Sequence, residues 1–264
     1  MITIGSLSHE IFLYLISFIL CTTRIVVVLF LFQNLTFIVM KGKLKYFVSC
    51  AFSLSPAMDL YYQLSSIDVT ITFLITTVCK EVIIGFLMGF LFSVPFWIYE
   101  GIGSLIDNQS GRLMGEQLTA TGGGGTPTGT ILKSLCFICI LTKIGLAKVI
   151  VTIWNSYHFL PVLGKVGHFS PEGFYAFGNW INLAFDYMIL YSVPIVGILV
   201  LIDVCLGLLN TFSSQLQATQ MSIPIKCLVS FLFLSTYILN MNDSFFYKIN
   251  ILDYVKRYLT MLLA

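Results

Sequence analysis

Residues 11–40 form one apolar run interrupted by a single charge, Arg24, and five further apolar runs follow, at 46–58, 69–99, 131–160, 187–209 and 221–241. A bilayer span takes about 20 apolar residues. A chain that buries such runs in lipid must satisfy its backbone polar groups internally, which leaves helices or closed barrels. Runs this long and continuous, without the alternation of a barrel strand, predict helices. The fold class expected is an all-α membrane protein with about six hydrophobic helical segments, bent or folded back as hairpins. Composition points the same way: 58% of the 264 residues are hydrophobic and 10% charged, and mean hydropathy is +0.94. A soluble domain carries about 25% charge. The pattern excludes an ordinary soluble enzyme, a nucleic-acid binder and a disordered chain. The net charge of +2 is too small to define an acidic partner.

The start of the chain, MITIGSLSHE, has no Lys or Arg before Arg24, so the first run reads as a retained segment rather than a cleaved signal. Run 46–58 is short for a span. A basic cluster, Lys41, Lys43 and Lys45, follows the first run. If each run crosses once, this cluster shares a side with Arg112 and the turn at 210–220, and the positive-inside rule makes that side cytoplasmic. The same count sets Lys248, Lys256 and Arg257 of the amphipathic tail on the opposite side, against the rule. Either the tail returns or the segments do not cross conventionally.

Arg24, Lys80, Glu81, Lys143, Asp203 and Lys226 lie inside apolar runs. A bare charge at the bilayer centre costs about 3 kcal/mol on insertion scales, so these side chains are expected to face protein or water. Lys80 and Glu81 are adjacent and point in different directions on a helix. They read as a joint between two helices or a subunit contact in preference to an ion relay. Gly85 and Gly89 have the G-x-x-x-G spacing that permits close helix approach, although 20 glycines also produce such pairs by chance.

No enzymatic chemistry is expected. There is no G-x-S-x-G motif, paired carboxylate or Ser-His-Asp arrangement. His9, His158 and His168 are scattered. Cys136 and Cys139 form C-x-x-C without a second pair, so the seven cysteines read as small core residues with no metal or cofactor. The segment TGGGGTPTGT, residues 121–130, lacks the Gly-Lys-Ser/Thr of a phosphate loop. Its four glycines give conformational freedom, as a solvated linker or a movable plug requires.

Two blocks carry a resemblance. KEVIIGFLMGFLFSVPFWIYEGIGSLIDNQSG, residues 80–111, resembles the signature of the SctT/YscT/SpaR/FliR family, the export-gate subunit of type III secretion systems and flagella. The matching positions are Lys80, Glu81, Gly85, Gly89, Pro95, Phe96, Trp97, Glu100, Gly103, Asp107, Asn108, Gln109 and Gly111. The second block, from Ser192, is similar through Pro194, Asp203, Gly207, Leu208, Gln215, Pro224 and Lys226, and SYHFLP at 156–161 also fits. Two departures stand out. Ser110 occupies a place where the family commonly has Arg, with Arg112 two positions on, and NTFSSQ replaces a stretch that usually carries Arg and Pro-Gln.

The resemblance implies one export-gate domain over 1–264: an N-terminal helical part (1–106), a Gly-rich plug-like loop (107–130), middle helices (131–186) and an SctS-like hairpin with an amphipathic tail (187–264). It implies a pseudo-helical ring with SctR-like and SctS-like subunits, contact with an SctU-like switch protein and an SctV-like export ring, and passage of unfolded proteins across a bacterial inner membrane. Asp107, Asn108, Gln109, Gly111, Met114 and Gly122, Gly123, Gly124 and Gly125 are then plug or gating residues, with Met114 and Leu118 able to make adaptable apolar contacts. Lys80, Glu81, Gly85, Gly89, Asp203, Gln215, Pro224 and Lys226 are then subunit-packing residues. A self-contained transporter for a small solute is the other reading of buried charges in Gly- and Pro-interrupted runs.

Overall fold

A computed structural model of the chain describes residues 4–32, 43–65, 70–112, 126–164, 171–212, 218–248 and 255. Every element among them is helical: α1 (Ile4–Leu31), α2 (Leu44–Leu64), α3 (Ile71–Ser110), α4 (Pro127–Cys139), a π-helical turn (Ile140–Ile144), α5 (Leu146–Phe159), α6 (Pro171–Phe212) and α7 (Ala218–Lys248). Five stretches, Glu10–Leu31, Ile71–Ser110, Pro127–Ile144, Gly173–Phe212 and Met221–Ile238, are long and apolar enough to cross a membrane. The protein is the all-α membrane protein that its hydropathy predicts.

The helix boundaries differ from the apolar runs in instructive places. Run 46–58 becomes part of α2, whose Ser49, Ser53, Ser55, Asp59 and Gln63 keep it out of the five apolar stretches. No joint forms at Lys80 and Glu81, because α3 is unbroken from Ile71 to Ser110. Its 40 residues rise about 60 Å, twice the hydrocarbon thickness of a bilayer. The mixed region 161–186 turns helical at Pro171, a favoured first helical residue, and α6 continues from there to Phe212.

The chain folds into two compact units. The first takes its described residues from Met1–Ser93, Ile144–Phe177 and Ile251–Ala264, the second from Val94–Lys143 and Gly178–Asn250. In the first, α1 and α2 bury Leu13, Ile16, Leu20, Ala57, Leu60 and Leu64 against one another. These residues recur at spacings of three and four, as an amphipathic interface requires. The Thr22 and Ser53 hydroxyls lie 2.7 Å apart across that interface.

α1 also packs on the first part of α3. A Cβ on Gly85 would stand 2.8 Å from the Arg24 carbonyl oxygen, and one on Gly89 would stand 2.8 Å from Leu31 Cβ. G-x-x-x-G here is a groove for a helix of the same chain. One turn further, Ser93 Oγ lies 2.7 Å from the Leu31 carbonyl oxygen.

The second unit uses the same device. A Cβ on Gly103 would fall 2.4 Å from the Cα of Gly129, so α3 and α4 touch backbone to backbone. At the end of α3, Gly111 adopts φ +80°, the left-handed position at which glycine terminates helices. All seven cysteines are free.

Candidate functional site

The buried charges assemble into two clusters, one in each unit. In the first, Arg24 and Glu81 are both fully buried. Arg24 Nε donates to Glu81 Oε2 at 2.6 Å and Nη2 donates to Oε1 at 2.9 Å, a bidentate pair. The guanidinium also donates to Ser156 Oγ at 3.1 Å and to the Leu160 carbonyl at 2.9 Å. The Tyr157 ring lies under it, 4.2 Å from ring centroid to guanidinium carbon. A planar, delocalised cation suits this combination of fork and stacking, where lysine would not. Tyr157 donates its own hydroxyl to the Cys21 carbonyl at 2.8 Å, and burial pushes its ionisation above the usual tyrosine range, so it remains a neutral donor.

Lys80, beside Glu81 in sequence, turns elsewhere. Its Nζ donates to the carbonyls of Pro161, Val162 and Gly164 at 2.8, 2.8 and 2.7 Å. All three ammonium donors are used, and the turn after α5 is tied to α3. The cation also lies near the C-terminal end of α5, where a helix favours positive charge.

In the second unit, Asp107 is fully buried in the last turn of α3. Its Oδ2 accepts the Thr128 backbone N–H at 2.8 Å, and its Oδ1 accepts the Thr128 hydroxyl. Arg112 donates to Asp107 Oδ1 at 3.2 Å and to Thr128 Oγ1 at 2.7 Å. Its other terminal nitrogen donates to the Cys227 carbonyl and Ser230 Oγ on α7, at 3.1 and 2.9 Å, and the guanidinium lies 4.2 Å from the Phe231 ring centroid.

A second pair joins α6 to α7. Lys226 Nζ lies 2.9 Å from Asp203 Oδ1 and donates to the Gln109 carbonyl at 3.0 Å, while Gln109 Nε2 donates to Asp203 Oδ2 at 3.1 Å. Glu100 and Lys133 pair at 2.8 Å in a more open position.

Several residues expected from the sequence therefore meet. Lys80, Glu81, Gly85 and Gly89 make their contacts with α1 and the turn after α5 of their own chain. Asp203 and Lys226 meet each other. Asp107, Asn108 and Gln109, expected in a loop, lie in the last turn of α3, and Gly111 follows directly after it; Asp107 and Gln109 take separate partners. Met114, Leu118, Gly122 to Gly125 and Gln215 lie outside the described residues, as does His168.

Thr128, Ser156 and Ser230 were not legible as functional, since hydroxyl residues in apolar helices carry no distinguishing pattern, and Arg112 stood out only as a basic residue displaced from its usual place. Arg24 was legible only as a lone charge in its run. His158 lines a cleft of about 630 Å³ with Asp59, but no group of three metal-ligating side chains occurs among the described residues.

Helices long enough to cross a bilayer, with their buried charges neutralised inside each unit, define a polytopic helical membrane protein. Comparison with known proteins then gives its family. Residues 15–250 match the profile of bacterial export proteins, family 1, and the chain belongs to that family, the SctT/FliR family of type III secretion and flagellar export proteins. It is 28% identical over 152 residues to the surface presentation of antigens protein SpaR of Shigella sonnei, covering 57% of this chain and 58% of that protein. It is 34% identical over 155 residues to the secretion system apparatus protein SsaT of Salmonella typhimurium, covering 58% and 59%. Yop proteins translocation protein T of Yersinia pestis is 26% identical over 176 residues, covering 66% and 67%. The chain thus spans under two thirds of the length of the SpaR and SsaT relatives.

Proposed function

We propose that this chain is a structural and gating subunit of a type III secretion export apparatus, forming part of the entrance channel for unfolded proteins at the bacterial inner membrane. The observation that carries this reading is the family match from residue 15 to residue 250. Relatives named as a secretion system apparatus protein, a Yop proteins translocation protein and a surface presentation of antigens protein support it. Its partners in this reading are SctR-like and SctS-like gate subunits, an SctU-like switch protein and an SctV-like ring.

The charge chemistry fits a channel component better than a solute carrier. Arg24 with Glu81 and Lys226 with Asp203 are mutually neutralised, which favours a fixed scaffold over an ion relay. The stretch 107–130 serves as the plug, and the Asp107 carboxylate supports this role because it ties Thr128 and Arg112, on either side of 113–125, to one point.

Gentle extraction of a tagged chain from cells expressing the neighbouring export genes, followed by native mass spectrometry, tests the assignment. One copy held among several small hydrophobic proteins is expected. A stable monomer or homodimer that moves solute in liposomes would instead indicate the transporter. For the plug, replacing 113–125 with a short linker should make the closed assembly leak ions, and an unchanged leak in a normally assembled gate would rule it out.

A further inference from the structure

The first unit holds an apolar cavity of about 260 Å³ with no polar lining surface. Its walls come from the end of α1 (Val28, Phe32), from α2 (Val48, Phe52) and from α5 (Val149, Trp154). Such a lining offers water no hydrogen-bond partner, and apolar cavities of this kind take apolar guests; one of about 150 Å³ accommodates benzene. The walls are braced by edge-to-face rings, Phe32 on Phe92 at 6.2 Å and Phe52 on Trp154 at 6.4 Å. Trp154 Nε1 donates to the Phe52 carbonyl at 3.2 Å, tying α5 to α2 at the wall.

The chemistry beside this cavity is anion-seeking. Lys45 stands one turn before Val48 on the face of α2 that Val48 and Phe52 share. Its ammonium lies 5.0 Å from the Phe30 ring centroid, and it has no acidic partner among the described residues. The N-terminal turn of α2 has no acidic residue, and Lys43 supplies no side-chain cap. The positive end of the helix dipole favours an anion there, yet the sequence puts Lys43 and Lys45 at that pole. Their charges add to it instead of offsetting it. An apolar pocket next to an uncompensated positive helix start has the two parts of a phospholipid site.

We infer that this cavity takes an acyl chain of an anionic phospholipid, whose phosphate is held by Lys45 at the N-terminal end of α2. The site depends on the chain's residence in a bilayer and not on its role in export, so it stands or falls separately from the functional assignment.

The test uses the full chain in nanodiscs containing phosphatidylglycerol with a photoreactive acyl chain, with adducts mapped by peptide mass spectrometry. Labelling concentrated on the segments containing Val48, Val149 and Trp154 is expected, above that at exposed apolar positions such as Leu201 and Leu228. Ile150→Trp, which fills the cavity, should abolish the enrichment. Lys45→Gln should lower the preference for phosphatidylglycerol over phosphatidylcholine about fivefold, the effect of one lysine beside an anionic headgroup. Labelling spread evenly over the apolar surface would overturn the inference, and that result is read on the unaltered protein even if Ile150→Trp does not fold. Enrichment with no headgroup preference would overturn the phosphate part.

Discussion

The two charge clusters solve the same problem with different completeness. In the first unit, Arg24 and Glu81 are sealed from solvent, and 44% of the apolar stretch of α1 is buried. In the second, Asp203 keeps 37% of its side chain exposed, and only 17% of the apolar windows of α6 and α7 is buried within the chain. Ile189, Val193, Val204, Leu208, Leu228 and Leu232 of these two helices face outward. Apolar helix faces associate in lipid through packing and interhelical polar contacts rather than through release of water. The first unit seals its ion pair, although it too turns apolar side chains such as Ile11, Phe47 and Ile71 outward. The α6–α7 pair reads as a surface awaiting lipid or neighbouring subunits, and the proposed function selects subunits.

The comparison can be broken most sharply at Glu81. Glu81→Ala leaves Arg24 buried without its counter-charge and should destabilise the first unit by about 3–5 kcal/mol. Arg24→Met with Glu81→Leu should recover most of that loss, because the pair then becomes apolar packing. Thermal unfolding of the purified chain in mild detergent reads both. If the double variant is as unstable as the single one, the pair is not the reason for the loss.

Gly103→Ala comes next. Its Cβ would strike the Gly129 backbone, and overpacking a close contact costs about 1–3 kcal/mol. The cost here is set by backbone that cannot rotate aside. Failure of α4 to dock should show as new proteolytic cleavage near 126–130, and unchanged cleavage would contradict the backbone contact. Asp107→Asn keeps the volume but sets an amide NH2 or a neutral oxygen where a carboxylate accepts three donors. A loss of about 1.5–3 kcal/mol, the range for hydrogen bonds to a charged group, is expected, with Thr128→Val smaller because the backbone N–H of residue 128 and Arg112 still donate to Asp107. At the other end of the scale, Lys133→Met breaks a pair whose glutamate is 42% exposed, and should shift stability by no more than about 1 kcal/mol. A larger effect would mean that this exposed pair is covered in the assembled protein.

The helical membrane fold was legible because hydropathy alone dictates it, and the family resemblance rested on motifs that the profile match bears out. The register of α1 on α3 was also written in the sequence, although in a form easy to pass over. Glu81, Gly85, Gly89 and Ser93 are spaced by four and therefore share a face. The first pairs with Arg24, the two glycines admit the backbone of α1, and Ser93 reaches the Leu31 carbonyl. Gly85 and Gly89 were recognised as a close-packing pair, while the ion pair that fixes the same register was not, since its partner is 57 positions away.

The adjacent Lys80 and Glu81 were expected to mark a joint or a subunit contact. No joint forms: each finds a separate partner within the chain, and with both charges satisfied laterally the helix has no reason to break. The contact between Asp107 and Thr128 could not be read from spacing, because the residues between them do not set a helical period. Arg112 was noted as a displaced basic residue, but its role in bridging Asp107 to α7 depends on where α7 packs.

The central claim is that the α6–α7 surface packs against neighbouring subunits. Photoreactive residues placed in turn at Val204, Leu208 and Leu228 test it directly, in cells with and without the neighbouring export genes. The account predicts protein adducts from these positions with small hydrophobic export proteins when those genes are present. It predicts none from a buried first-unit position such as Leu20. Adducts with lipid alone at all three positions, in cells that carry the full gene set, would contradict it.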